Sequence, residues 1–455
     1  MLALRSKLLP LCLLLASPVA AIVHAQDSSD GWRAAISTVF YTNHPDPPLH
    51  AKVWSTFSPT AGVVAERITY STDAGMLVTA ILYRPDSKVL KAAHVTGKLP
   101  AIVVVNGHGS DKFGWYAFYS GMMFAKAGAV VLTYDPIGEG ERNAQRLSAQ
   151  SPSPHDADVA PPAPLPHDDW GRRVAGLMQI DLDQALRYIA SRPEVDTKRI
   201  GVTGYSLGSF VAGVAGARLV DFNPNYPGVA HFHALLLSGG GVFDNETGYF
   251  DKNKSLCQRA PYVTLKQAQY LGDHRGDDLF LLNAMRGPTF IMNGAGDGVM
   301  GIPDRDPAWF NQQRAKLLKD CGAAGKNACA NVFTSILYGK EVGHRPSWVN
   351  RDGVHWLNAQ LHFPLWNTDA KIDAQGTTHV SEWITANHVA ISPNYFPEQR
   401  EGGLNAVGTG FPGISRADLS VLPDADWQRL KDQLTYEAWA AKTMATEKQA
   451  AAEVH

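Results

Sequence analysis

The spacing of apolar residues changes character along the chain. Glu66 to Ser71 and Met76 to Tyr83 alternate as strands do and are separated by Thr72, Asp73, Ala74 and Gly75, the composition of a hairpin turn. The stretch before them, Gln26 to about Pro59, is polar and predicts no regular element. From Leu99 onward the runs become continuously apolar and β-branched: Ala101 to Val105, then Ala129 to Thr133, with helix-compatible sequence between. Runs apolar on both faces belong to buried parallel strands. Ser151 to Pro166, rich in Pro, Ala and His, reads as a surface loop. Asp169 is then placed to cap a helix whose Val174, Met178, Leu182, Ala185 and Ile189 share one face, and Pro193 ends it. Further strands are predicted at Arg199 to Thr203, Ala234 to Leu237, Pro288 to Met292 and Val332 to Leu337. Strands alternating with helices over this length specify an α/β fold, a doubly wound, mostly parallel sheet with helices on both faces, with the opening hairpin as its antiparallel edge. Beyond about Asn367 the chain continues as a helical and irregular extension, whose Asp426 to Ala451 is polar and helix-prone.

The amino terminus changes this picture by supplying an address. Arg5 and Lys7 precede the apolar run Leu8 to Ala16, and small residues follow around Val23 and Ala25, which is the order of a secretory signal peptide cleaved after Ala25. Pro10, Ser17 and Pro18 interrupt the run too early for a membrane anchor. The expected organisation is a signal peptide over 1–25, an amino-terminal segment over 26–64, the α/β domain over 65–366 and a carboxy-terminal extension over 367–455, in a periplasmic or secreted protein without stable membrane insertion after cleavage. The leader carries two basic and no acidic residues, so its removal takes the formal net charge from −2 to −4. A nearly neutral surface on a chain of this size argues against nucleic acid as a partner. In an oxidising compartment Cys321 and Cys329, which bracket Gly322 and Gly325, are a candidate disulfide, leaving Cys257 without a partner cysteine. No Cys and His spacing suggests a metal site, and no pattern calls for an organic cofactor.

Candidate chemistry centres on Gly204-Tyr205-Ser206-Leu207-Gly208, which has the form G-x-S-x-G between a predicted strand and a predicted helix. In that context a sharp turn lifts the serine hydroxyl above the sheet. A serine needs a base to take its proton and an acid to orient the base. Asp297, in Gly294-Ala295-Gly296-Asp297-Gly298 after the apolar run Thr289 to Met292, is the candidate acid, with Asp304, Asp306 and Asp244 as fallbacks. His344, in Gly343-His344-Arg345-Pro346 after the last predicted strand, is the candidate base. His355 and His362 lie on what reads as a packed helix and are expected to be buried structural residues. A tetrahedral oxyanion needs amide donors. The N–H of Leu207 is one; Ser110 or Gly109, in Asn106-Gly107-His108-Gly109-Ser110, is the candidate second. Trp115, Tyr116, Tyr205, Trp348 and Trp356 are candidates to line an acyl or sugar pocket, with core packing as the alternative. His108 either joins the pocket or packs the loop. Tyr134 to Arg142, with three carboxylates and no Gly-Lys-Ser, is unsuited to phosphate and reads as loop organisation.

Four stretches together resemble the bacterial acetylxylan-esterase-like branch of the α/β-hydrolases: Asn106-Gly107-His108-Gly109; Tyr134-Asp135-Pro136-Ile137-Gly138-Glu139-Gly140-Glu141-Arg142; Val195-Asp196 with Arg199 to Ser206; and Gly343-His344-Arg345-Pro346. The resemblance spans roughly Glu66 to Trp366. It implies a triad of Ser206, Asp297 and His344 acting on small acyl esters, commonly acetyl groups on plant polysaccharides, with a small-molecule or oligosaccharide ester as substrate and no cofactor. The chain departs from the pattern at Ser209, where many relatives have a second glycine, in the loop Ser151 to Pro166 and in its long tail, the last two of which could reshape the pocket. A serine peptidase of the same scaffold and a non-catalytic binding protein are the competing readings; no residue pattern specifies an oligomeric state.

Overall fold

The computed structural model describes residues 36–146, 148, 165–218, 232–240, 256–267, 287–302, 333–340, 342–374 and 417–453. The signal-peptide reading over 1–25, the loop at 151–164, the Cys321 and Cys329 pair and the fallback acids Asp244, Asp304 and Asp306 lie outside the described residues.

The sheet has nine strands in the order β1-β2-β3-β5-β4-β6-β7-β8-β9. These are β1 Lys52–Thr60, β2 Val63–Ser71, β3 Leu77–Pro85, β4 Leu99–Val105, β5 Val130–Tyr134, β6 Val195–Tyr205, β7 Ala234–Ser238, β8 Thr289–Gly294 and β9 Phe333–Tyr338. From β5 to β9 every pairing is parallel, whereas β1, β2 and β3 join antiparallel at the other edge. The fold class read from the alternation of elements is therefore the observed one. β4 shows why its sequence is apolar throughout. Ala101, Val103 and Val105 enter one core and Ile102 and Val104 the other, so each face of the strand is covered.

The first core is closed by helices α3 His167–Ser191, α4 Leu207–Arg218 and α9 Tyr436–Glu453; the second by α2 Trp115–Ala127, α6 Arg351–Leu361 and α8 Asp424–Leu434. Short helices α1 Ser87–Ala92 and α7 Asp369–Asp373 and the longer α5 Leu256–Gln267 complete the described set. The tail belongs to both cores: Leu419, Val421, Leu422, Trp427 and Leu434 pack into one, Tyr436 and Trp439 into the other. No helix among the described residues is long and apolar enough to cross a membrane.

Three details differ from the sequence reading. The polar stretch before Pro59 contains β1, an edge strand whose side chains are mostly exposed and which therefore lacks apolar alternation. Helix α3 begins at His167 behind Pro166, and Asp169 sits inside its first turn instead of capping it; there it accepts from the Tyr41 hydroxyl and suits the positive end of the helix dipole. The helix-prone tail is broken into α8 and α9 at Thr435.

Candidate active site

Ser206 occupies the single residue between β6 and α4. Its φ of 54° is the left-handed conformation that side chains normally avoid. The turn is secured by backbone bonds: Ser206 N–H donates to the Ser238 carbonyl at 3.0 Å, and Ser209 N–H donates back to the Ser206 carbonyl at 2.9 Å. Gly208 is a glycine for want of space, since a Cβ there would lie 2.1 Å from the Val105 carbonyl oxygen of β4. Ser209, where the family pattern has glycine, places its hydroxyl 2.7 Å from the Gly204 carbonyl and 2.8 Å from that of Ser238, and accepts from Ser238 N–H. The departure thus ties β6 to β7 directly beneath the turn.

The two candidate partners follow β8 and β9, the second and third strands beyond β6. Asp297 follows β8 and is fully buried; His344 follows β9 and is 6% exposed. His344 Nδ1 lies 2.8 Å from Asp297 Oδ2, while Asp297 Oδ1 accepts from Met300 N–H at 2.9 Å. A carboxylate facing Nδ1 requires the proton there, which leaves Nε2 as the basic nitrogen. Ser206 is joined to this pair through its neighbour. The Tyr205 ring packs on the His344 imidazole with centroids 5.0 Å apart, and the Tyr205 hydroxyl donates to the His344 backbone carbonyl at 3.1 Å. Ser238 holds the other side of the histidine loop, donating its hydroxyl to the Arg345 carbonyl and accepting from Ser347 N–H, both at 2.7 Å.

The loop after β4 passes over the serine. A Cβ on Gly107 would lie 3.0 Å from the Tyr205 carbonyl oxygen and 3.1 Å from Ser206 Cβ, so any larger residue would push on the serine turn. Gly107 N–H donates to the Tyr116 hydroxyl at 2.9 Å, Gly109 N–H to Glu139 Oε1 at 3.1 Å and Ser110 N–H to the Gly107 carbonyl at 3.3 Å. Both amides singled out in the sequence as the second oxyanion donor thus have acceptors, and either would have to leave its acceptor to meet an oxyanion. Leu207 opens α4, where the first amides of a helix have no intrahelical acceptor.

The remaining candidates separate cleanly. Tyr205 is buried support for His344 rather than an open pocket wall, and Trp348 is core, donating to the Ser120 hydroxyl and meeting Tyr116 edge-on at 5.7 Å. Trp115 begins α2; its side chain lies outside the description. His108 is half-buried with Nε2 3.7 Å from Sγ of the buried Cys257. The expectation that His355 and His362 are buried fails: His362 is exposed at the left-handed end of α6, and His355 is half-buried between Asp369 and Asp373, each 3.0 Å away.

The sequence reading also missed the supports behind the loops. Lys112, Asp135 and Glu141 form a buried ionic cluster, with Lys112 Nζ 2.5 Å from Asp135 and 2.8 Å from Glu141. Burial works against the Lys112 ammonium, but the two carboxylates outweigh it and push its pKa up to about 12. The three carboxylates of Tyr134 to Arg142 signalled such organisation without showing its partners.

No protein-family model and no curated protein sequence matches the chain. Solved structures do. A methylesterase covers 97% of this chain and 78% of its own at 15% identity with a TM-score of 0.53. An acetyl xylan esterase from Paenibacillus sp. R4 covers 74% and 95% at 19% identity, with a TM-score of 0.45. A glucuronoyl esterase from Solibacter usitatus covers 73% and 92% at 13% identity, with a TM-score of 0.47. With the sheet order above, the chain has the α/β-hydrolase fold.

Proposed function

We propose that this protein is a serine-dependent carboxylic ester hydrolase acting on acetyl or other short acyl esters, carbohydrate esters among them. The observation that carries the proposal is the strained Ser206, at φ 54°, directly after Tyr205, whose ring packs on the His344 imidazole that Asp297 holds. Ser206 Oγ attacks the ester carbonyl as His344 Nε2 takes its proton, and Asp297 stabilises the imidazolium that results. The oxyanion of the tetrahedral intermediate meets the Leu207 amide and a second amide from the loop that Gly107 lays against Ser206. The alcohol leaves with the proton from His344, giving acyl-Ser206; a water deprotonated by His344 then releases the carboxylic acid. The esterase names of the structural neighbours agree with this chemistry, and the leader-like amino terminus agrees with an extracytoplasmic site of action on polymers or their fragments.

The test is labelling by a fluorescent fluorophosphonate, together with 4-nitrophenyl acetate hydrolysis, for the wild type and Ser206→Ala. Wild type labels and turns over, while the variant does not label and loses several orders of magnitude in rate. A folded wild type that neither labels nor hydrolyses defeats the proposal.

A further inference from the structure

We propose that Glu139 is a positioning residue for this reaction, holding the loop 106–110 that faces the acyl group; the inference rests on the esterase reading above. Glu139 is 1% exposed, and its Oε1 accepts the N–H of Gly109, thirty residues earlier in the chain. Gly109 has φ 67°, a left-handed conformation, and lies two residues beyond Gly107, where an added Cβ would come within 3.1 Å of Ser206 Cβ. The loop is therefore gripped at two points, by the Tyr116 hydroxyl at Gly107 and by the Glu139 carboxylate at Gly109. Fixing two amides of a short glycine-rich loop sets the direction of the peptide groups between them. That direction decides whether an amide points at a developing oxyanion.

The segment carrying Glu139 is braced far more heavily than a surface loop needs. Asp135 accepts from the Thr79 hydroxyl at 2.6 Å, from Lys112 Nζ and from the amides of Lys112 and Glu141. Arg142 is wholly buried, bonded to the Asp135 carbonyl and paired with Asp181. The Glu141 carboxylate accepts from the amides of Val421 and Leu422 in the tail at 2.8 and 2.9 Å, and Trp427 Nε1 donates to the Glu141 carbonyl at 2.9 Å. A buried charge that loses its partner costs several kcal/mol, so these links resist separate rearrangement. The position of Glu139 is set by a network that reaches from β3 to the tail, and Glu139 delivers that rigidity to the loop over Ser206.

An acceptor for Gly109 is what the role requires, whereas a formal charge is not. Glu139→Gln keeps a carbonyl oxygen at the same reach; Glu139→Ala removes it. We expect Glu139→Ala to lose roughly 10- to 100-fold in kcat for 4-nitrophenyl acetate, with KM within about threefold of wild type, and Glu139→Gln to recover most of that loss. A merely structural role would lower the melting temperature and the active fraction, measured by fluorophosphonate titration, without changing kcat per active site. Should Glu139→Ala fail to fold, Glu139→Asp, which withdraws the acceptor by one methylene, must show the same selective loss. Wild-type kcat per active site in folded Glu139→Ala, or in Glu139→Asp where that replaces it, or a Glu139→Gln no better than the alanine variant, overturns the proposal while leaving the esterase reading intact. An inactive, unlabelled wild type defeats that reading and this one with it.

Discussion

Asp297 and His344, 47 residues apart in sequence, meet through a 2.8 Å contact between a fully buried carboxylate oxygen and Nδ1 of an imidazole that is nearly as buried. Oδ2 faces the histidine, and Oδ1 is occupied by the Met300 amide, so the carboxylate cannot turn without losing a bond. Replacing it by an amide preserves the shape but sets an NH₂ or a neutral oxygen against the ring, which weakens the tautomer with a basic Nε2. Asp297→Asn is therefore expected to lose about 10³- to 10⁴-fold in kcat with KM little changed. Steady-state hydrolysis of 4-nitrophenyl acetate beside a thermal melt measures this, and a loss below about tenfold would remove Asp297 from the orienting role.

The histidine loop should be equally sensitive from behind. Ser238 is fully buried and bridges two backbone groups of that loop, the Arg345 carbonyl and the Ser347 amide. Ser238→Ala leaves both without a partner at a cost of about 1–3 kcal/mol each where they stay dry. We expect a lower melting temperature and a fall in kcat of roughly tenfold, because His344 precedes Arg345 directly. Retention of wild-type kcat alongside a lower melting temperature would show that the Tyr205 hydroxyl alone suffices to hold His344 in place.

At Gly208 the expectation concerns folding. A methyl group would sit 2.1 Å from a carbonyl oxygen of the central strand, against backbone that cannot swing away. Gly208→Ala should cost more than about 4 kcal/mol, enough to abolish soluble expression or to give a collapsed urea midpoint. A variant as stable as wild type would mean that α4 can move away from β4.

These residues divide what the sequence discloses from what it conceals. Strands such as β4 and β5 are legible because burial on both faces makes their runs apolar and β-branched, and the Ser206 turn is legible because close approach of α4 to β4 demands glycine at a fixed offset. Asp297 and His344 were readable from their order after strands, since loops leaving parallel strands gather at one edge. β1 was not readable: as an edge strand it exposes Lys52, Val53 and Ser55, so nothing alternates. Nor could the sequence show that the Gly109 amide belongs to Glu139, because a backbone hydrogen bond across thirty residues carries no compositional mark. His355 and His362 were misjudged for a related reason. Their apolar neighbours Trp356 and Phe363 do pack, but the helix turns His355 away from Trp356 toward Asp369 and Asp373, and His362, past the last turn, is left-handed and faces solvent.

A final expectation concerns pH and lies away from the site. Asp46 is pushed from the ordinary 3.8 up to about 6, first by burial and then by the neighbouring Asp183 carboxylate, against the opposing pull of Arg187, Arg218 and His44. Asp183 is itself paired with Arg218, and Arg187 is held by the Pro47 carbonyl and the Gln184 side chain, so these cations serve Asp46 only partly. With the folded pKa above the ordinary one, the fold favours the protonated carboxyl: the stability this contributes is complete below about pH 4 and is lost as pH rises through about 6. Asp46→Asn, neutral at every pH, should therefore be more stable than wild type at pH 7, by about 1–3 kcal/mol, and equal to it near pH 4. Chemical denaturation of both proteins from pH 4 to 8 tests the sign. A variant that is destabilised at pH 7 would show that the Asp46 and Arg187 attraction, across 3.9 Å, outweighs burial and the repulsion of Asp183.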